Sequence, residues 1–247
     1  MHSTSRSRFH HLVRLGVCLG AWLVAGTATV SAAGSPTPAP AVVELFTSEG
    51  CNSCPPAEAV LGSLASRPDV IALAFHVTYW DNAAWRDMFG LPGAASRQRR
   101  YARSLQLSSA YTPQAVINGT LDVLGSNERG IGEAIARLPR PARVPGKRSD
   151  SGWVVRLPAP SSACPCMLQL ISVRAVAVVS VHGGENAGRI LSEHRIVRSM
   201  RTAGPWNGGE SERTLPLEDV PGDATSVVVL AERLPDGAIV AVGELAL

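Results

Sequence analysis

Apolar residues follow strand-type and helix-type patterns in turn over the first half of the chain. Residues 41–47 (AVVELFT) and 70–77 (VIALAFHV) are nearly continuous apolar runs, which is typical of strands covered on both faces. Proline at 55 and 92 suits the first turn of a helix. The predicted elements are strand 41–47, helix 55–66, strand 70–77, an aromatic-rich loop 78–89, helix 92–107, a hairpin 114–124 with an Asn-Gly turn, and helix 126–138. This order predicts an α/β domain over 41–138, with a mixed sheet flanked by helices.

The pattern changes after a segment rich in proline and charge at 139–150, which we interpret as a linker between domains. Short apolar or alternating runs follow, broken by Gly, Pro and Asp. They lie at 153–157, 167–173, 175–181, 214–217, 226–232 and 238–245. Such spacing predicts a small all-β, sandwich-like domain over 151–247. Residues 187–200 fit either a strand or a short helix.

The N-terminus has the pattern of a secretory signal peptide, which we place at 1–33 and follow with a linker at 34–40. Three arginines precede a short apolar run at 15–25, and small residues suited to cleavage lie at 30–33. The run is shorter than the about 20 residues that span a bilayer, so an uncleaved anchor is the less favoured alternative. We therefore predict an exported protein, periplasmic or extracellular, without a stable membrane span after cleavage.

Charge argues against a nucleic-acid partner. The formal net charge is +3, but the three arginines of the targeting segment account for it, so the predicted mature chain is neutral. A dense basic cluster remains on the helix predicted at 92–107, and we interpret it as a solvated helix face. Its members are Arg97, Arg99, Arg100 and Arg103.

Four cysteines remain after export, in two close pairs, and an even number favours disulfide chemistry. Cys51 and Cys54 form a CxxC motif between a strand and a helix, where the helix dipole and free N–H groups stabilise a thiolate. The second cysteine lies close enough to resolve a mixed disulfide. Thr112-Pro113 precedes a strand, and a cis bond there would place the Thr112 backbone beside the dithiol, free to pair with an extended substrate.

This arrangement resembles the thioredoxin fold. The strings VVELFTSEGCNSCPPAE, HVTYWD and YTPQAVING, with GENAGRIL further on, resemble the secreted thioredoxin-like family called domain of unknown function 1223 (DUF1223). The resemblance implies that Cys51 is the nucleophile, Cys54 the resolving thiol and Pro113 the cis-proline. It also implies that Glu44, on the first strand, could shuttle the proton of the resolving thiol; a solvent-facing Glu is the alternative.

Two departures from ordinary thioredoxins leave redox potential and partner choice open. Gly50 replaces the tryptophan that usually precedes the first cysteine, and Pro55 follows Cys54 without a lysine. His76 could tune a thiol or bind a metal, although a hydrogen-bonded core histidine is the more common case. The aromatic loop, with Trp80, Asp81 and Trp85, could line the site or pack in the core.

The second pair, Cys164 and Cys166, allows three interpretations: a structural or unpaired surface pair, a second redox pair, or a metal site shared with Cys51 and Cys54. The stretch 183–189 (GGENAGR) lacks the Gly-Lys-Ser/Thr of a phosphate-binding loop and predicts a glycine turn. His182 and His194, on either side of it, are expected to be surface or hydrogen-bonded residues.

The leading hypothesis is a thiol-disulfide oxidoreductase acting on protein thiols or disulfides, without a cofactor or a resident metal. The alternatives are a Cu or Zn binding protein or chaperone that uses the thiols as ligands, and an adaptor with a structural disulfide. The sequence leaves the substrate, the electron donor and the oligomeric state open.

Overall fold

The computed structural model describes residues 39–159 and 164–247, so the predicted signal peptide and most of its linker lie outside the described residues. Three helices are present in the described part of the chain: α1 (Pro55–Ala65), α2 (Pro92–Ser104) and α3 (Glu128–Arg137). A short 3-10 helix spans Thr78–Trp80. The strands are β1 (Ala41–Thr47), β2 (Val70–His76), β3 (Gln114–Ile117), β4 (Leu121–Leu124), β5 (Ala142–Arg143), β6 (Gly146–Ser149), β7 (Gly152–Leu157), β8 (Cys166–Ser180), β9 (Ile190–Trp206), β10 (Ser211–Leu215), β11 (Ser226–Arg233) and β12 (Ile239–Ala246).

Local signals account for the elements of the first half. The Asn118-Gly119 turn between β3 and β4 has positive φ at both residues, as a tight hairpin turn requires. Gly119 also lies against the backbone carbonyl of Gly237, which leaves no room for a side chain. Asn127 caps α3 because its side chain accepts a hydrogen bond from the Gly130 amide at 3.0 Å.

One nine-stranded sheet runs through both segments that the sequence divides into domains. Its strand order is β4-β3-β1-β2-β9-β8-β11-β12-β5. β1 pairs parallel with β2 and antiparallel with β3. β2 then meets β9 in parallel, at Ala74 and Ile196. The described residues from Ala39 onward form one compact unit, and the segment predicted as a linker at 139–150 contains β5 and β6.

Period-two alternation along β1 and β2 divides the core between the two faces of the sheet. On one face Val43 and Leu45 pack with Leu61 of α1 and Ile131 of α3. On the other face Val42 and Phe46 pack with Tyr101 of α2. That second cluster continues into the C-terminal strands, through Ile171, Val173, Val197, Val228, Leu230 and Val242.

The C-terminal strands differ from the predicted short runs in length and arrangement. The runs predicted at 167–173 and 175–181 are one strand, β8, with two register irregularities where its pairing with β9 shifts. The undecided segment at 187–200 belongs mainly to β9. A second sheet, β10-β7-β6, contributes Trp153 and Val155 to a third core with residues of β8 and β11.

The basic cluster on α2 is not a uniformly solvated face, which corrects the prediction. Arg97 is 1% exposed, and its guanidinium donates to Glu44 at 2.6 and 2.9 Å and also pairs with Glu232. Arg100 pairs with the other oxygen of Glu232 at 2.9 Å. A buried guanidinium needs this many acceptors because an uncompensated charge in the core is costly.

Within the described ranges, no helix has the length and apolar character needed to span a bilayer.

Candidate functional site

The CxxC motif lies where β1 leads into α1. Cys51 and Cys54 form a disulfide with a Cα–Cα distance of 5.5 Å, and Cys54 is the N-cap residue of the helix. The Cys54 carbonyl accepts the first helical hydrogen bonds, from Ala57 at 2.8 Å and Glu58 at 3.1 Å. Pro55 stands in the first turn, where its missing N–H costs nothing. The motif therefore has the predicted position at a helix N-terminus.

The Cys51 sulfur is close to two hydroxyl groups. The Thr112 hydroxyl donates to Sγ at 3.5 Å, and the Ser53 hydroxyl lies at 3.3 Å. Trp80 Nε1 donates to the Thr112 hydroxyl at 2.8 Å, which orients it toward the sulfur. The Thr112–Pro113 peptide bond is cis, as expected. The structure thus brings the CxxC and Thr-Pro motifs together.

Both cysteines are buried, Cys51 at 0% and Cys54 at 1% exposure. The loop at 181–189, which joins β8 to β9 and which we call the covering loop, lies over the CxxC turn. Asn186 Nδ2 donates to the carbonyls of Glu49 and Cys51, at 2.9 and 2.8 Å. Glu185 accepts a hydrogen bond from the Asn52 amide at 3.1 Å. The glycine turn predicted from the sequence therefore also covers the Cys51–Cys54 disulfide.

The aromatic loop lines the other side. The Trp80 side chain lies close to Gly50, where an added Cβ would be 3.3 Å from Trp80 Cβ. Trp85 stacks edge-on against His182 of the covering loop, with ring centroids 6.0 Å apart. Asp81 accepts a hydrogen bond from the Asp87 amide at 3.1 Å. Both tryptophans thus contact the segments that enclose the cysteines.

A buried cluster of acidic side chains surrounds His76, and we call it the acidic cluster. Its members are Glu49, Glu58, His76, Asp87 and Glu193. His76 Nδ1 lies 2.8 Å from Asp87 Oδ2, and His76 Nε2 lies 4.0 Å from Glu193 Oε2. Asp87 also accepts backbone hydrogen bonds from Glu49 and Phe89, both at 2.9 Å. Among the described residues, His76 is the only basic side chain in ion-pair contact with these carboxylates.

The acidic cluster has more acidic than basic side chains. Burial raises the pKa values of Glu49, Glu58 and Glu193, and repulsion by neighbouring carboxylates adds to the shift for Glu49 and Glu193. Burial, and then the charge of Glu58, raise the pKa of Glu193 to about 8. Burial, and then the charge of Asp87, raise the pKa of Glu49 to about 7. Burial also raises the pKa of Glu58. For His76 burial alone would lower the pKa, but the charge and hydrogen bond of Asp87 outweigh it and raise the pKa to about 9.

A cavity of about 240 Å³ connects the acidic cluster with the dithiol. Cys54, Glu58 and Glu193 all line it. Cys54 and Glu58 are four residues apart at the start of α1, so they lie on the same face of the helix. His194 lies beside them, and its amide approaches Glu58 Oε2 at 3.4 Å.

Glu44 is buried, but its surroundings differ from those expected of a proton shuttle. Along β1 it alternates with Val43 and Leu45, so it lies on the α2 face of the sheet, opposite α1 and Cys54. Both carboxylate oxygens accept hydrogen bonds from Arg97. The buried carboxyl groups that share a cavity with Cys54 are Glu58 and Glu193.

Cys164 and Cys166 form a second disulfide, with a Cα–Cα distance of 5.4 Å, buried in the core between the two sheets. Cys166 begins β8, whereas the covering loop follows the last residue of that strand. The strand has 15 residues, so its ends lie on the order of 40 Å apart. The two cysteine pairs therefore do not form a common four-cysteine metal site, nor can they exchange directly in this conformation.

Sequence reasoning missed Glu58, Asp87, Asn186 and Glu193. Glu58 carries a local signal, because the spacing of four from Cys54 places both on one helix face. Asn186 and Glu193 come from the second half of the chain and contact residues of the first half, which are far away in the sequence. No local pattern predicts that approach.

A family model for proteins described as "Protein of unknown function (DUF1223)" matches residues 42–232. The chain belongs to the DUF1223 family. The matched range includes the CxxC motif, Thr112-Pro113, the covering loop and every member of the acidic cluster. No curated protein sequence matches this DUF1223 member.

Two solved structures are similar to this DUF1223 protein. The crystal structure of AGR_C_4864 from Agrobacterium tumefaciens has a TM-score of 0.75 and 27% identity, covering 86% of this chain and 96% of that one. HBP35 of Porphyromonas gingivalis has a TM-score of 0.56 and 13% identity, covering 85% of this chain and 76% of that one. At the lower identity the likeness concerns the fold alone.

Proposed function

We propose that this DUF1223 protein is a thiol-disulfide oxidoreductase with a thioredoxin-like site. The observation that carries the proposal is the Cys51–Cys54 disulfide at the N-terminus of α1, where the Thr112 hydroxyl donates a hydrogen bond to the Cys51 sulfur. A helix N-terminus stabilises a thiolate through its free N–H groups and its dipole. A hydroxyl donor on the same sulfur adds to that stabilisation.

Exchange would proceed in two balanced steps. In the reducing direction the Cys51 thiolate attacks one sulfur of a partner disulfide, and the other partner sulfur leaves as a thiolate. Cys54, as a thiolate, then attacks Cys51 Sγ, so that the Cys51–Cys54 disulfide forms and the partner leaves with both sulfurs reduced. The oxidising direction is the reverse, and it begins with attack of a partner thiolate on Cys51 Sγ.

Access requires the covering loop to move, because Cys51 is fully buried beneath it. Two features of the surface favour a polypeptide as the partner. Ile190, at the start of β9, lines the cavity beside Cys54 and is 72% exposed. Val178, on the neighbouring strand, is also exposed. Exposed apolar side chains beside a reactive centre suit contact with an extended or unfolded chain.

An exported location fits the same proposal. Both pairs of cysteines among the described residues form disulfides, which persist in oxidising compartments. Cellular fractionation, with mass measurement of the mature N-terminus, tests export directly; a full-length cytosolic chain would contradict it.

The decisive experiment compares cysteine variants in insulin reduction and in reoxidation of a reduced substrate, over a series of glutathione redox buffers. We expect catalysis by the wild-type protein and none by Cys51→Ser. The double variant Cys164→Ser/Cys166→Ser is the matched control, since it removes a disulfide remote from the site and should keep the activity. A wild-type rate equal to the uncatalysed rate in every buffer would show that Cys51–Cys54 is a static disulfide.

A further inference from the structure

Three side chains of the acidic cluster point polar atoms at one another. Glu58 comes from α1, His76 from β2 and Glu193 from β9, and one potential ligand atom of each lies within 4.8 Å of the other two. All three residues are buried. In the part of the chain that the structure describes, His76 Nε2 has no hydrogen-bond partner. The Glu58 and Glu193 carboxyls lie close enough to share a hydrogen bond, which requires a proton on one of them.

Such an arrangement is costly without an additional group. Buried polar atoms are normally hydrogen-bonded, and each one left unpaired costs about 1–3 kcal/mol. Here the cost is larger, because Glu58 and Glu193 also repel each other, and because Glu49 and Asp87 add negative charge nearby. The raised pKa values of these groups have the same origin. Among the described residues, only His76 supplies positive charge in contact with the four carboxyl groups.

His76 is oriented as a metal ligand. Its Nδ1 faces Asp87 at 2.8 Å, and Asp87 is itself held by the backbone amides of Glu49 and Phe89. When Nδ1 donates its proton to Asp87, Nε2 faces Glu58 and Glu193, and its lone pair becomes free to bind a metal when the second ring proton leaves. A carboxylate that fixes the second ring nitrogen in this way is the usual outer partner of a metal-bound histidine.

We propose that Glu58, His76 and Glu193 bind one divalent transition-metal ion of the Zn²⁺ class, with a further coordination position open to the cavity beside Cys54. Zn²⁺ binds His nitrogen and Asp or Glu oxygen, and its open sites hold the ion with three protein ligands and leave a fourth position free. Ligands about 2.0–2.2 Å from a tetrahedral ion lie about 3.4 Å apart. The 4.0 Å between His76 Nε2 and Glu193 Oε2 would therefore close by about 0.6 Å on binding.

This site differs from a site built from the cysteines. It uses none of the four thiols, and it is compatible with both disulfides. It is also independent of the proposed exchange activity, because its ligands are complete when Cys51–Cys54 is oxidised. The alternative occupant of the cluster is a set of protons on Glu58, Glu193 and His76, which would satisfy the same charge without a metal.

The test uses the full mature chain with both disulfides oxidised, stripped with chelator and titrated with Zn²⁺ alone. Bound metal is measured by calorimetry and by elemental analysis after desalting. We expect one Zn²⁺ per chain in the wild-type protein. In Glu58→Gln and Glu193→Gln we expect binding weaker by about 100-fold or more, since loss of an outer partner alone costs about 10- to 100-fold. Glu133→Gln, on the exposed face of α3, is the matched control and should bind like the wild type.

Thermal unfolding separates loss of the site from loss of the fold. Without metal and above pH 8, where Glu193 is ionised, Glu193→Gln should be at least as stable as the wild type, because it removes one of two repelling charges. With Zn²⁺, the melting temperature of the wild type and of Glu133→Gln should rise, while that of Glu193→Gln should not. Anomalous scattering at the zinc edge should place the ion between Glu58, His76 and Glu193.

Two results would overturn the metal site. The first is a wild-type chain that retains less than about a tenth of an equivalent of Zn²⁺ after loading, which would show that bound protons, not a metal ion, neutralise the cluster. The second is equal binding by the wild type and by Glu193→Gln. Neither result depends on insulin reduction, so failure of the metal site and failure of the exchange activity are distinguishable.

Discussion

Glu44 and Glu58 are both buried carboxylates near the start of the chain, yet their surroundings are opposite. Both carboxylate oxygens of Glu44 accept hydrogen bonds from the Arg97 guanidinium, whereas the Glu58 carboxyl faces Glu193 and His76. The sequence indicates that Glu44 stands among apolar neighbours. It could not indicate the partner, because Arg97 is 53 residues from Glu44 and Glu193 is farther still from Glu58. The role assigned to a buried acid therefore depended on contacts outside any local pattern.

Arg97 compensates two buried carboxylates, Glu44 and Glu232, so its removal should be costly. We expect Arg97→Ala to lower the free energy of unfolding by about 3–5 kcal/mol, because two buried charges lose their main partner. The control is Arg129→Ala, which removes an exposed pair with Glu133 and should change stability by less than about 0.5 kcal/mol. Urea unfolding followed by circular dichroism measures both. Equal effects of the two substitutions would refute the structural role of Arg97.

At the scale of elements, the sequence predicted the turn of the β8–β9 hairpin but not what the hairpin contacts. The glycine-rich stretch at 183–189 correctly predicted a turn, because Gly184 and Gly188 have positive φ. What the turn covers could not be predicted, since that depends on the length and pairing of two long strands. The hairpin places Asn186 on the CxxC turn and Glu193 in the acidic cluster, so one element closes the first site and completes the second.

The hydrogen bonds of Asn186 hold the covering loop shut, and Asn186→Ala should loosen it. If losing both bonds lowers the free energy of loop opening by about 1.4 kcal/mol, the open fraction rises about tenfold. We expect the Cys51–Cys54 disulfide to be reduced about ten times faster by a small phosphine, because reduction requires the open form. Quenched alkylation and mass spectrometry of the CxxC peptide measure this rate.

Asn127→Ala is the matched control for that experiment. It removes the cap of α3 and should cost about 1 kcal/mol of stability, without contacting the covering loop. Its CxxC reduction rate should equal that of the wild type. If both variants accelerated reduction alike, general destabilisation rather than loop opening would expose Cys51.

At the scale of the whole molecule, local patterns indicated most elements but not how they assemble. Periodicity and turn signals predicted the order from β1 to α3, with ends within three residues of those in the structure. The Pro-rich segment at 139–150 indicated a boundary because proline and charge usually mark exposed connections. The structure instead continues the sheet from β2 into β9, through the pairing of Ala74 with Ile196. That contact joins residues 122 positions apart, which no composition change reveals.

The shared sheet leads to a prediction about cooperativity. The core on the α2 face draws residues from both segments, with Phe46 and Tyr101 from the first and Val173 and Val228 from the second. Neither segment can bury this face alone, so we expect the chain from residue 34 onward to unfold in a single transition. Hydrogen exchange and mass spectrometry across a urea series measure this, with peptides from 41–138 and from 151–247 read separately.

The two sets of peptides should lose protection at the same urea concentration. The disulfides cannot make the two segments unfold together, because each joins cysteines at most three residues apart and neither links the two segments. A chain that ends at residue 138 should accordingly expose Phe46 and its neighbours, and should lack a cooperative transition. Two separate midpoints, or a cooperatively folded fragment 41–138, would instead support two autonomous domains. In that case the covering loop and Glu193 would belong to a second domain docked on the first, and both sites would open as that domain separates.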